Sequence, residues 1–160
     1  MKTAIIPGTF DPITLGHLHL ISKASNMCDS LIIAVANSSP KNPLFTLEER
    51  IKMVEDSVEN FGNVKVLSYN GLLVDFAKEV NANILIRGLR GVSDFEYEFN
   101  MAILNNRLDK NIETVFILSN TDFVHLSSTQ VRELCFYGGD VKQFVPNNVY
   151  IEIIKKFEKK

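Results

Sequence analysis

The stretch Leu31–Ala36 reads LIIAVA, apolar at every position. A strand with one wet face alternates apolar and polar residues. An unbroken apolar run belongs instead to a strand covered on both faces, as in a parallel sheet. Shorter runs at Thr3–Ile6, Val64–Leu67, Ile84–Ile86 and Thr114–Leu118 repeat the signal, the first ended by the turn pair Pro7-Gly8. Helical segments separate them. Thr46 and Glu49 form a capping box, behind which Leu47, Ile51, Val54, Val58 and Phe61 recur as one buried stripe. Further helices are expected at 16–27, 72–80, 94–108, 128–137 and 147–157. This alternation predicts an α/β fold, a doubly wound five-stranded parallel sheet. Nothing between residues 1 and 160 reads as a repeat, a low-complexity segment or a linker, so a single domain is expected.

Composition narrows the function classes. A chain of 160 residues buries roughly 70% of its unfolded surface and needs no disulfide or metal staple to fold. With 17 basic and 19 acidic residues, its net charge of -2 argues against nucleic acid as the main partner. Cys28 and Cys135 lie far apart without metal-ligand spacing, which fits a reduced, cytoplasmic setting. The N-terminus does not read as a signal peptide, and no apolar run approaches the roughly 18–20 residues that span a membrane. One helix is unusual. In 94–108, Tyr97, Met101, Leu104 and Leu108 make one apolar stripe, and Phe95, Phe99, Ala102 and Ile103 make another. Two apolar sides need two covers. The second cover is either another subunit or the C-terminal helix.

Ligands of parallel α/β sheets bind beyond the carboxyl ends of the strands, and the chemistry-bearing residues of this chain follow its strands. After the first comes Gly8-Thr9-Phe10-Asp11-Pro12, then Thr14-Leu15-Gly16-His17. This tight loop delivers a hydroxyl and an imidazole to a helix start, where backbone N–H groups favour anions. Lys41 follows the second strand, and Arg87-Gly88-Leu89-Arg90 follows the fourth. Ser127-Ser128-Thr129-Gln130 follows the fifth. Ser127 with Gln130 makes a capping box, yet three hydroxyls in a row exceed what a cap requires. A cap and a phosphate site both remain open readings. His17 alone reads equally as a packed or capping histidine, and Lys41, Arg87 and Arg90 as surface charge. Their convergence on one sheet edge is what favours a phosphorylated ligand. GxGxxG and GxxxxGK[ST] are both absent, which argues against a nicotinamide dehydrogenase and a P-loop NTPase.

GTFDPITLGH (Gly8–His17) resembles the T/HxGH signature of the nucleotidyltransferase superfamily. Taken with PLFTLEER (Pro43–Arg50), IRGLRGVSDFEYE (Ile86–Glu98), LSSTQVRE (Leu126–Glu133) and GDVKQFVP (Gly139–Pro146), it closely resembles the bacterial phosphopantetheine adenylyltransferases, from Thr3 to about Pro146. The resemblance implies a Rossmann-like nucleotidyltransferase fold. It also implies adenylyl transfer from ATP to 4′-phosphopantetheine with Mg²⁺, in the cytoplasm, by a homohexamer built as a dimer of trimers. Coenzyme A, which carries the same pantetheine arm, is the expected feedback ligand.

By the same resemblance, Thr9, Phe10, His17, Gly88, Leu89, Arg90 and Glu98 bind ATP, together with Phe123, Val124, His125, Leu126, Ser127, Ser128 and Thr129. Thr9, Lys41, Leu73, Arg87 and Asn105 bind the acceptor. His17, Lys41 and Thr9 are the catalytic set. Phe123 and Thr129 stand where some members have tryptophan and serine, which implies altered nucleotide contacts. The acceptor is already an anion and needs no protein nucleophile, so catalysis reduces to positioning and charge stabilisation. Without a carboxylate cluster, magnesium is expected to ride on phosphate oxygens and water. Two rival readings are a small nucleotidyltransferase acting on nicotinamide mononucleotide or glycerol phosphate, and a non-catalytic nucleotide-binding module. The RGLRGVSDFEYE block argues against the first and His17 against the second.

Overall fold

The computed structural model describes residues 2–37, 43–118 and 126–158. Its elements run β1 (Thr3–Gly8), α1 (Leu15–Ser25), β2 (Ser30–Ala36), α2 (Leu47–Val58), β3 (Val64–Tyr69), α3 (Leu73–Glu79), β4 (Ile84–Leu89), α4 (Val92–Leu108), β5 (Glu113–Leu118), α5 (Ser128–Phe136) and α6 (Asn147–Glu158). The five strands form one parallel sheet in the order β3-β2-β1-β4-β5. The chain winds outward from β1 to β3, then crosses to β4 and winds the other way. That reversal lies between β1 and β4, where such sheets open a crevice at their carboxyl edge.

Strand alternation builds two cores. Ala4, Ile6, Leu31, Ile33 and Val35 face one side and pack with α1, α2, α5 and α6. Ile5, Ile32, Ala34 and Leu85 face the other and pack with Val74, Phe76 and Ala77 of α3. The LIIAVA run thus feeds both cores, as an unbroken apolar strand requires.

Three details depart from the sequence expectation. β1 continues through Pro7-Gly8, where a turn was expected, because its pairing with β2 runs on to Gly8↔Val35 while its pairing with β4 covers only Ala4 and Ile5. β4 likewise runs through Arg87, Gly88 and Leu89, held by β5 up to Leu89↔Leu118, so these residues are strand and not loop. The stripe of α2 is turned: Arg50, Met53, Val54 and Val58 are its buried residues, with Leu47, Ile51 and Phe61 packed at its margin. As for α4, the C-terminal helix does not cover it. α6 packs with α2 in the core on the opposite face of the sheet, and Phe95, Tyr97, Phe99, Ile103, Leu104 and Leu108 remain exposed.

Candidate active site

Two cavities open at the carboxyl edge where β1 and β4 part. One, of about 490 Å³, is lined by the β1–α1 loop with His17, by Arg87, Gly88 and Arg90 of the β4 end, and by Leu126–Thr129 and Arg132. The other, of about 640 Å³, lies towards α3 and α4 and is more apolar, lined by Tyr69, Leu72, Leu73, Tyr97, Met101 and Leu104 with Asn105 among them. Pro7, Gly8, Thr9, Arg87 and Glu98 line both. Thr9 and Arg87 therefore stand where the two spaces meet.

His17 is the third residue of α1, and its ring closes a capping box. Thr14 caps the helix, and its backbone N–H donates to His17 Nδ1 at 3.1 Å, with Thr14 Oγ1 2.9 Å from the same nitrogen. A backbone N–H can only donate, so Nδ1 is the acceptor and the ring proton sits on Nε2. Burial, then Arg90, then Arg87 lower the His17 pKa from 6.5 to about 4. The imidazole is neutral at pH 7 and carries one N–H donor in a cationic cavity. The capping and functional readings of His17 are thus two ends of the same ring. Phe10 supports it from beneath, their ring centroids 5.1 Å apart. Gly8 makes room for that arrangement: a Cβ there would lie 2.9 Å from Phe10 Cε2.

The arginines are not idle. Arg87 Nε and Nη2 donate to the two Glu98 carboxylate oxygens at 2.6 and 2.7 Å, and its Nη1 donates to the Pro7 carbonyl at 3.0 Å. The resemblance had put Arg87 with the acceptor and Glu98 with the nucleotide; in the fold they are one ion pair between both spaces. Arg90 Nε donates to Asp94 at 2.9 Å. Gly88 also lines the first cavity, and its missing side chain admits Leu20 of α1, which a Cβ would meet at 3.1 Å. Leu89 is buried and lines neither cavity.

At the start of α5, each hydroxyl has a structural task. Ser127 caps the helix through Gln130, Ser128 Oγ donates to the Pro12 carbonyl at 2.7 Å, and Thr129 Oγ1 accepts from Arg132 at 3.1 Å. The capping reading holds. Phosphate binding there would rest on first-turn N–H groups, which have no preceding helical carbonyl to bond. Arg132 is the residue that sequence reasoning missed. It lines the first cavity and donates to the Asp11 carbonyl, and its signal was helical spacing, three residues after Thr129. Lys41 and Phe123, Val124 and His125 lie outside the described residues.

Among the described residues, no three His, Cys, Asp or Glu side chains gather as a metal cage. Asp11 and Glu98, which line the cavities, and Asp94, the partner of Arg90, are bound to backbone N–H groups or to guanidinium groups. Burial raises the pKa of both Cys28 and Cys135, which keeps the thiols protonated and poorly nucleophilic. No helix among the described residues is long and apolar enough to cross a membrane.

Residues 5–134 match the cytidylyltransferase-like family. A phosphopantetheine adenylyltransferase of Clostridium botulinum (strain 657 / Type Ba4) is 48% identical over 160 residues, spanning 100% of this chain and 98% of its own. One from Lachnoclostridium phytofermentans matches with the same identity and coverage. Among solved structures, a bifunctional NMN adenylyltransferase/ADP ribose pyrophosphatase from Francisella tularensis shares the fold. Its TM-score is 0.71 at 17% identity, over 99% of this chain and 51% of that one.

Proposed function

Since the chain belongs to the phosphopantetheine adenylyltransferases of the cytidylyltransferase-like family, we propose that it transfers the adenylyl group of ATP to 4′-phosphopantetheine, forming dephospho-coenzyme A and pyrophosphate. The full-length likeness to relatives of that name carries the assignment, and the paired cavities supply a geometry for it. The cationic cavity at His17, Arg90 and Arg132 suits a triphosphate. The apolar one along Leu73, Tyr97 and Met101 suits a pantetheine arm, with Asn105 available to an amide.

The acceptor phosphate attacks the α-phosphorus, and pyrophosphate leaves. Two anions must meet, so the barrier is electrostatic and positional. Thr9, at the junction, orients the attacking oxygen. Neutral His17 donates from Nε2 to an α-phosphate oxygen, with most effect as the phosphorus becomes five-coordinate. Arg87 holds the acceptor phosphate. Arg90, Arg132 and the α5 N-terminus take the β- and γ-phosphates. Lys41 adds positive charge at the α-phosphate by family resemblance. Since the nearby carboxylates are already engaged, the oxygen ligands of a Mg²⁺ ion would come from the nucleotide phosphates and water. Its contribution would be charge neutralisation of the triphosphate.

The family resemblance supports a cytoplasmic homohexamer, a dimer of trimers, as the working form in this reading, and the exposed apolar faces of α4 give a physical reason for subunit contact. Coenzyme A would enter the Leu73 side and compete with phosphopantetheine. The test is pyrophosphate release from ATP, compared across 4′-phosphopantetheine, nicotinamide mononucleotide and glycerol phosphate. Turnover with the first alone is expected; equal or better turnover with another would overturn the reading.

A further inference from the structure

Arg50 of α2 is 1% exposed and lines neither cavity, yet it reaches the loop that does. Its Nη1 donates to the Thr9 carbonyl at 2.7 Å and to the Ala36 carbonyl at 2.9 Å, and its Nε donates to the Phe45 carbonyl at 3.3 Å. One guanidinium thus ties together the ends of β1 and β2 and the turn before α2. On the far side of that turn, the buried Asp11 carboxylate accepts from the N–H groups of Leu44 and Phe45, both at 2.9 Å. The two charges are linked through the Phe45 residue, carboxylate to N–H and carbonyl to guanidinium, and each polarises the other.

Between Thr9 and Asp11 sits Phe10, with φ at +49° and only 2% exposed. A bulky residue in the left-handed region is strained, and persists only where its surroundings over-determine it. Here the carbonyl before it is held by Arg50. The carboxylate after it is held by Leu44 and Phe45, and the Asp11 carbonyl by Arg132. The strained turn leaves Thr9 facing both cavities.

We infer that Arg50 is a positioning residue for the transfer reaction, acting through the Thr9 carbonyl to fix the Thr9 hydroxyl at the junction of the two cavities. The inference rests on the proposed role of Thr9. A lysine keeps the charge but cannot offer two forked nitrogens to three carbonyls. Misplacing a reacting group by about 1 Å costs on the order of a hundredfold in rate, so Arg50→Lys should lower kcat about tenfold to a hundredfold. ATP and phosphopantetheine affinities should stay within about threefold.

The decisive experiment is a double-mutant cycle of Arg50→Lys with Thr9→Ala, read as kcat per folded molecule in pyrophosphate release. If Arg50 acts through Thr9, Arg50→Lys costs less than about twofold once Thr9 is alanine. An equal fold-loss in both backgrounds, or a folded Arg50→Lys enzyme with wild-type kcat, overturns the inference. Should Arg50→Lys fail to fold by circular dichroism, Asp11→Asn, which loosens the same turn from its other side, is put through the same cycle under the same criteria. A wild-type chain that releases no pyrophosphate with phosphopantetheine sinks the functional reading and this one together. A wild-type chain that turns over, with additive variants, sinks this one alone.

Discussion

Arg87 and Glu98 hold each other at two points, 2.6 and 2.7 Å, inside the wall that the two cavities share. A guanidinium fork matches a carboxylate and a phosphate equally well. If Arg87 takes the acceptor phosphate as proposed, Glu98 occupies the edge that phosphate would use, and the carboxylate would have to swing away or share it. The Nη1 bond to Pro7 keeps the guanidinium in place meanwhile.

Replacing Arg87 by alanine should raise the Kd for phosphopantetheine about tenfold to a hundredfold, the range for a lost charge-assisted hydrogen bond. ATP affinity should change by less than about threefold. Because Arg87→Ala also strands the Glu98 carboxylate, the same titrations belong on an Arg87→Ala, Glu98→Gln double variant. Isothermal titration with each ligand separately reads the outcome, and an equal loss for both ligands would reassign Arg87.

His17→Ala would remove the cap at Thr14 and, if the proposed mechanism holds, the Nε2 donor with it. Loss of the Nε2 donor should lower kcat by about 10²–10³ with ATP affinity nearly unchanged. Loss of the Nδ1 acceptor at the Thr14 N–H should cost about 1 kcal/mol of helix capping, roughly 2–4 °C in Tm for a chain of this size. Steady-state kinetics and a melting curve on one variant separate them. A folded variant turning over near the wild-type rate would leave His17 as a cap only.

The lowered pKa of His17 also sets a pH dependence. Its folded-state value is about 4 against an ordinary 6.5, so between these values the unfolded chain binds the proton and the folded chain does not. Stability therefore falls as pH drops from 6.5 towards 4. The contribution lost between pH 7 and pH 5 is on the order of 2 kcal/mol. Melting temperatures of wild type and His17→Gln across that range should converge as pH falls. Parallel curves would show that the imidazole titrates normally.

The bare face of α4 bears on assembly. Light scattering should give a mass about six times the 18.1 kDa chain. Ile103→Glu, placed outside both cavities, should lower that mass. A wild-type monomer at micromolar concentration would refute the hexamer.

The layout of sheet and helices was legible because periodicity reports burial, and LIIAVA could be little else. Less visible were the strand ends. Pro7-Gly8 and Arg87-Gly88 carry turn chemistry by composition, but pairing with β2 and β5 keeps them extended. The candidate site divides in the same way. His17, Thr9 and Arg90 follow strand ends in the sequence, and they line the cavity at that edge. Glu98 against Arg87 joins a helix to a strand, and Arg50 looked like one more charge on an amphipathic helix. Nothing in the local pattern marks an arginine that joins the carbonyl of its own helix's leading turn to those of two distant strand ends.

A wall with two cavities on it has a consequence for what leaves. If the nucleotide lies on one side of Thr9 and Arg87 and the pantetheine arm on the other, the product is a single molecule that fills both sides. Two tethered halves bind as though each were concentrated beside the other, to millimolar levels for a short linkage. The joined product should then cling far more tightly than either substrate. A stable mimic of the joined product, filling both sides at once, would then be the natural inhibitor.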